Sequence, residues 1–313
     1  MYMTRPRSPS EALQRYALGL ASERLLDPAP KAASRRRAAL VRELKAEGIK
    51  GWPERMTLFT KSLPQGCRPC LRGRGSNLVM TLKCNRDCFF CFNPKPRVAE
   101  MSVHGRSVRG LKEGVGLLAS LGVRSVGISG GEPLLERKKV LALARALRRR
   151  FGRWLRIDLY TNGDLLTVPV LKSLKAAGVS GLRMNLAANG YDPAPAALAL
   201  GVFKDVEVEI PMIPEHKGRV LVLLGQLEDL GCRHLILHEL FASAANVARL
   251  EGRRAHARRA GLTWSGVAGS EEAALEVLLA AVRAKRKISV YYCSTGTQGW
   301  IAERAAGTVR RKI

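Results

Sequence analysis

Six strand-like runs, at 77–82, 123–128, 155–160, 181–186, 205–211 and 234–238, alternate with helical stretches through the middle of this 313-residue chain. A helix between successive strands carries the chain back to the starting end of the sheet, so the strands must run parallel, and a parallel sheet has to be covered by those helices. Gly122, Gly178 and Gly231, in Leu-Gly-Val, Ala-Gly-Val and Leu-Gly-Cys, stand where a helix ends in a left-handed residue and a strand begins. The pattern predicts an α/β fold whose parallel sheet is either doubly wound or curled into a partial barrel.

Outside that pattern the chain changes character. Residues 10–26 and 34–47 read as helices separated by Pro28 and Pro30, the second ending at Gly48. The run Arg72-Gly-Arg-Gly-Ser76 precedes the first strand, and a last strand-like run lies at Lys287-Ile-Ser-Val-Tyr-Tyr292. The expected division is an N-terminal helical extension over 1–73, a core over 74–240 and a C-terminal helix and strand extension over 241–313.

The first strand runs into Thr81-Leu-Lys-Cys-Asn-Arg-Asp-Cys-Phe-Phe-Cys-Phe-Asn-Pro94. Cys84, Cys88 and Cys91 form a C-x3-C-x2-C group, which can hold three irons of a 4Fe-4S cluster and leave the fourth without a protein ligand. The same positions are i, i+4 and i+7, the stripe of a buried helix. Asn85 and Asp87 favour turns, and Pro94 and Pro96 lie just beyond, which argues against a helix here. Cys67-x2-Cys70 upstream keeps a four-thiolate zinc site open as the other alternative.

The second strand ends in Ser129-Gly130-Gly131-Glu132-Pro133. Paired glycines let backbone approach a ligand closely, and an acid beside them can accept a hydrogen bond from an ammonium group. Such a turn is common by itself. Together with the cysteine loop, each at the end of a strand, it is specific.

On those two motifs, residues 74–240 resemble the radical S-adenosylmethionine (radical SAM) superfamily, in which a three-cysteine loop with an aromatic before the third cysteine, here Phe90, follows the first strand and Gly-Gly-Glu-Pro follows the second. The resemblance implies the partial (βα)6 barrel. It implies that Cys84, Cys88 and Cys91 bind the 4Fe-4S cluster and that the open iron takes the amino and carboxylate groups of S-adenosylmethionine. Glu132, with the backbone of Gly130 and Gly131, would hold the amino group. A reductant such as a flavodoxin or ferredoxin would drive cleavage to a 5'-deoxyadenosyl radical, which abstracts hydrogen from a substrate.

Barrel enzymes gather function at the C-terminal ends of strands. That nominates Thr161, Asn162 and Gly163 after the third strand, Arg183 and Asn185 on the fourth, Met212 after the fifth and His238 and Glu239 after the sixth. By analogy with the superfamily, Asn162 is expected near the ribose, Arg183 or Asn185 near the carboxylate and Met212 against the adenine. His238 and Glu239 are candidates for proton transfer to or from substrate, although neighbours in a strand point to opposite faces.

A narrower resemblance rests on Gly66-Cys-x2-Cys70, Leu159-Tyr-Thr161, Val267-Ala-Gly-Ser270 and Tyr292-Cys-Ser294. These look like an uncharacterised radical SAM group related to pyruvate formate-lyase activating enzymes. Where that group tends to show Lys-Asp after its last cysteine, this chain has Gln298-Gly299. Cys67, Cys70 and Cys293 are expected to meet at a second metal, zinc or iron-sulfur, if the run at 287–292 closes beside the first strand. Cys232, after Gly231, is expected in the core.

Composition sets the surroundings. Seven cysteines, five of them between 67 and 91, suggest metal ligation in a reducing compartment, the cytoplasm. No apolar run of 18 residues is present and the N-terminus lacks the apolar stretch of a secretory signal, so no membrane is expected. Lys and Arg number 53 against 26 acids, a formal charge of +27, which suits a polyanion such as nucleic acid or an acidic protein as readily as plain solvated helix ends. The reading is therefore an enzyme of radical SAM chemistry on an unidentified substrate. Its alternatives are an activating enzyme for a protein glycyl radical, an RNA-modifying enzyme, and, from another class, a non-catalytic metal and nucleic-acid-binding protein.

Overall fold

The computed structural model describes residues 31–250, 252–253 and 264–310; the helix expected at 10–26 lies outside them. In chain order the elements are α1 (Lys31–Ala46), β1 (Lys50–Trp52), β2 (Thr57–Phe59), α2 (Cys67–Leu71), β3 (Gly75–Thr81), β4 (Ser102–Val103), β5 (Arg106–Ser107), α3 (Leu111–Ser120), β6 (Ser125–Gly130) and α4 (Arg137–Phe151). They continue as β7 (Arg156–Thr161), α5 (Val168–Ala176), β8 (Gly181–Met184), α6 (Ala194–Leu200), β9 (Val206–Met212), α7 (Lys217–Asp229) and β10 (His234–Glu239). The last are β11 (Phe241–Ala242), β12 (Ser265–Gly266), α8 (Ser270–Arg283), β13 (Ser289–Cys293) and α9 (Thr295–Arg310).

One sheet takes strands from the whole described chain, in the order β1-β2-β13-β10-β9-β8-β7-β6-β3-β4-β5. From β13 to β3 every pairing is parallel, and short antiparallel pairs flank that run at both edges. The parallel strands therefore number seven rather than six. The run at 287–292 does form a strand, but β13 pairs with β10 and not with β3, so no seam closes there.

Alternation along the strands decides what each face carries. In β9, Val206, Val208, Ile210 and Met212 join the main core beneath the helices, while Glu207 and Glu209 point the other way. Leu235 and Leu237 of β10 likewise lie in that core, with His234, Ile236 and His238 opposite. Helix α1 joins the core through Leu40 and Leu44 against α8, which buries Leu275 and Leu278. Full burial of each leucine contributes about 1.5–3 kcal/mol. The pairs Arg283–Glu43 and Arg283–Glu47, 2.9 and 3.0 Å apart, lie half exposed, where water and salt screen them. Packing, not charge, thus seats α1.

The second face curls around a cavity of about 110 Å³ lined by Asn77, Gly127, Tyr160, Arg183, His238 and Cys293 among others. Asn77 on β3 and Cys293 on β13 would be about 29 Å apart in a flat sheet, six strand spacings at about 4.8 Å each. Sharing one cavity requires the curvature of a partial barrel. Helix α2 brings Cys67 and Cys70 to the end where β3 and β6 begin.

Candidate functional site

Because the strands from β3 to β10 are parallel, the turns that follow them share one mouth, where the cysteine loop lies. No helix runs through 82–98. Cys84, Cys88 and Cys91 are half-buried on this loop, with Cys91 N donating to Cys88 O at 3.1 Å. Burial pushes the Cys88 thiol up to about 11, and the neighbouring Cys91 and Cys84 add to it. Cys84 is raised as well, again mainly by burial.

Salt bridges fix the loop from two sides. Asp87 meets Arg97 at 2.8 Å, Arg249 at 2.9 Å and Lys95 at 3.3 Å, and these cations hold its carboxyl below the ordinary range, the Lys95 hydrogen bond foremost. Arg249 also donates to the backbone carbonyls of Asp87 and Cys88. On the other side Arg86 binds Asp164 through two hydrogen bonds of 2.6 and 2.9 Å, and Asn85 donates to the same carboxylate at 2.7 Å.

The Gly-Gly-Glu turn is joined to the start of this loop by backbone. Gly131 N donates to Thr81 O and Glu132 N to Lys83 O, each at 2.8 Å. A Cβ on Gly130 would collide with Thr81 O, and one on Gly131 with Lys83 O. Gly130 also holds φ at +138°, a region side chains disfavour. Asn93 closes the turn by donating to Gly130 O at 2.6 Å.

Glu132 departs from expectation. Its side chain is wholly buried, and its carboxylate accepts from Leu134 N at 3.0 Å, from the Thr161 hydroxyl at 3.0 Å and from Asn162 N at 2.8 Å. Burial raises its pKa, while these donors hold it down. The carboxylate caps one turn and ties down the next, where the sequence suggested an anchor for an ammonium group. Asn162 in turn donates to Asn85 Oδ1 at 2.8 Å and accepts from Asp164 N at 3.0 Å, so the turn after β7 reaches back to the cysteine loop.

The remaining expected residues separate. Arg183 is buried within the barrel, 2.7 Å from Glu209, 3.1 Å from Glu207 and 3.5 Å from Asp158. Three carboxylates already take its charge, and this location corrects its assignment to a cofactor carboxylate. Asn185 sits at the mouth, its backbone N donating to Thr161 O at 3.0 Å and its Oδ1 buried without a partner. Met212 faces the helix-covered core at 0% exposure, so strand alternation removes it from the mouth. Ile213, one residue later, instead packs with Phe90, Leu240, Ala242, Leu250 and Val267, against Cys88 and Phe89. His238 faces the barrel interior with Nε2 2.6 Å from Glu209 Oε1. Glu239 turns away, accepting from Thr295 N at 2.7 Å.

Asp164, Ile213, Asn246 and Arg249 complete the arrangement and were not singled out from sequence. Asn246 donates to Phe90 O at 3.0 Å, so 241–250 presses on the cysteine loop at two points. Asp164 had a local signal, the turn-forming Asn162-Gly-Asp164; Asn246 and Arg249 had none.

Three soft thiols on one loop are the donor set an iron-sulfur cluster takes. Among the described residues no three Cys, His, Asp or Glu side chains already surround one point as metal ligands would. The donor type and the placement of all three thiols on one short loop fit the group. None of the helices, among the described residues, is long and apolar enough to cross a membrane.

Residues 78–199 match the family model of the radical SAM superfamily. The chain is 28% identical over 228 residues to a Methanocaldococcus jannaschii protein named as a candidate glycyl-radical enzyme activating enzyme, covering 69% of this chain and 60% of that protein. It is 34% identical over 117 residues to a GTP 3',8-cyclase of Peptoclostridium acidaminophilum, covering 37% of this chain and 34% of that one. The chain thus spans less than two thirds of the length of either relative. The solved structure of methylornithine synthase aligns over 92% of this chain and 86% of its own at 11% identity and a TM-score of 0.49, a likeness too loose to argue from.

Proposed function

We propose that the chain, whose residues 78–199 match the radical SAM superfamily model, is an enzyme that cleaves S-adenosylmethionine reductively and uses the resulting radical on a substrate not yet identified. A 4Fe-4S cluster, when bound, supplies the electron for that cleavage and an open iron for the cofactor's amino and carboxylate groups. Cys84, Cys88 and Cys91 would hold it. The observation that carries this reading is the joining of three turns, at Thr81–Lys83, Gly130–Glu132 and Thr161–Asn162, around a loop with three half-buried thiols.

The other residues position. Gly130 and Gly131 bring backbone next to the loop, and Glu132 keeps that backbone and the Asn162 turn rigid. Asn162 and Asn185 are the polar side chains at the mouth assigned to the cofactor's ribose and carboxylate. The apolar group around Phe90 and Ile213 is the surface on which an adenine would rest and from which water is kept.

Anaerobic reconstitution tests the reading. The protein should carry an oxygen-labile cluster and form 5'-deoxyadenosine from S-adenosylmethionine with a reductant such as flavodoxin or ferredoxin, and Cys88→Ala should abolish both. A fully reconstituted protein that makes none with a competent reductant would count against an enzyme.

The M. jannaschii relative favours a protein glycine as the hydrogen donor over other substrates. The formal charge of +27 adds a polyanion, nucleic acid or an acidic protein, as a partner within this reading. Among the described residues all seven cysteines are free of disulfides, which suits a reducing cytoplasm. The second metal expected at Cys67, Cys70 and Cys293 is a separate proposal that rests on the cavity they line.

A further inference from the structure

The cavity within the barrel is lined by none of Cys84, Cys88, Cys91, Glu132 and Asn162. Cys67 and Cys70 from α2 and Cys293 from β13 all line it, although 222 residues lie between Cys70 and Cys293 in sequence. None of the three is in a disulfide. Cys67 and Cys293 belong to one buried cluster with Ile236 and Tyr291, and Cys293 Sγ accepts from Gln298 Nε2 at 3.2 Å. Cys67 Sγ lies 3.3 and 3.4 Å from the two terminal nitrogens of Arg183.

His238 supplies a second, independent observation. It lines the same cavity and is the register partner of Cys293 across the β10–β13 pair, so both side chains lie on the interior face at one level. Its Nε2 is taken by Glu209 at 2.6 Å, while its Nδ1 is buried without a partner. A histidine that binds a metal through one ring nitrogen almost always has the other fixed by a carboxylate or carbonyl, as Glu209 does here.

We propose that Cys67, Cys70, Cys293 and His238 form a second metal site that binds one zinc ion inside the barrel. Three thiolates and an imidazole are a complete tetrahedral set for zinc, and cysteines two residues apart are the spacing such sites use. An auxiliary 4Fe-4S cluster generally wants a fourth cysteine. Cys232 is not it: its thiol is in the main core, donating to Val206 O at 3.2 Å. Among the described residues no three Cys or His side chains already surround one point, so binding would have to draw Cys67 from Arg183 and Cys293 from Gln298. The site would fasten α2 to β13.

Metal content of the Cys84→Ala, Cys88→Ala, Cys91→Ala variant tests this without interference from the first site and without recourse to activity. The expected result is close to one zinc per chain, and on replacement by cobalt, visible bands of a tetrahedral thiolate-rich site. Adding Cys293→Ser or His238→Gln should lower zinc several-fold, with circular dichroism checking that the fold persists. Should either variant fail to fold, counting alkylated thiols in the chain with and without added zinc gives the same answer, since zinc should protect three. Iron in place of zinc, metal indifferent to Cys293 and His238, or three thiols that zinc does not protect would each overturn the assignment.

Discussion

Glu132 donates its backbone N–H to the carbonyl of Lys83 at 2.8 Å, one residue before the first cysteine of the loop. The acidic turn and the thiol loop are therefore one backbone structure, and Glu132 contributes its main chain to the loop while spending its carboxylate on Leu134, Thr161 and Asn162.

Replacing Glu132 should consequently affect stability first. Each buried donor left unpaired costs about 1–3 kcal/mol, so Glu132→Ala should lose roughly 3 kcal/mol or more, with cofactor affinity falling alongside. Glu132→Gln should lose less, because its amide oxygen still accepts. Urea denaturation beside calorimetric titration with S-adenosylmethionine separates the cases. Native stability with affinity alone reduced would return the carboxylate to direct contact with the cofactor.

Gly131→Ala should disturb the loop itself, because the added methyl meets the Lys83 carbonyl. Iron retained after reconstitution should drop well below that of the parent. Gly116→Ala is the matched control: it lies in α3 with nothing within 4 Å of the new methyl, and removing a helical glycine should stabilise by about 0.5–1 kcal/mol. Equal iron retention in both variants would show that the turn tolerates a side chain.

Arg249→Ala should shorten the life of the cluster. It removes an ion pair to Asp87 and two bonds to loop carbonyls, so iron should be lost to a chelator several times faster, while the melting temperature changes little. Absorbance at the cluster band over time gives the rate. Loss no faster than in the parent would show that Arg97 and Lys95 suffice to hold Asp87.

Around Arg183 the carboxylates differ in sign of effect. Burial pushes Glu207 up to about 7, with Asp158 and Glu209 adding to it against the pull of Arg183 and Arg156. Burial also opposes charge on Glu209, but Arg183 and His238 outweigh it and hold that group down at about 2. A raised acid stabilises the fold while protonated, so the Glu207 contribution is whole below its unfolded value and is lost as pH rises through about 7. The stability of Glu207→Gln relative to the parent should therefore rise between pH 5 and 8, by on the order of 2 kcal/mol. Denaturant midpoints across that range read it directly; a difference that stays flat with pH would mean Glu207 titrates normally.

The six expected strands all exist, and their bounds differ from the sequence reading by at most two residues, as 123–128 against Ser125–Gly130 illustrates. Buried parallel strands are apolar runs stopped by glycine, a signal that survives without tertiary context. The antiparallel pairs escaped because two- and three-residue strands have too few positions to show a period. The run ending at Cys293 was visible as a strand, but its neighbour was not, since pairing partners depend on which edge the chain returns to. At the site, the thiols and glycines were legible because their chemistry is local. The task of Glu132 was not, because an acid in a turn looks the same whether it faces a ligand or three backbone donors. Met212 was misplaced by one residue, which in a strand is the whole difference between core and mouth.

The grip of Arg249 and Asn246 on the cysteine loop also sets an order of events on the ribosome. The loop is translated long before either residue, and chains fold from their N-terminus as they emerge. Until residues 246 and 249 have left the exit tunnel, Cys88 and Phe90 keep carbonyls that these two side chains will later bind. Iron delivered to a nascent chain would meet a loop lacking that side of its frame, so the finished loop belongs to a chain synthesised well past residue 249.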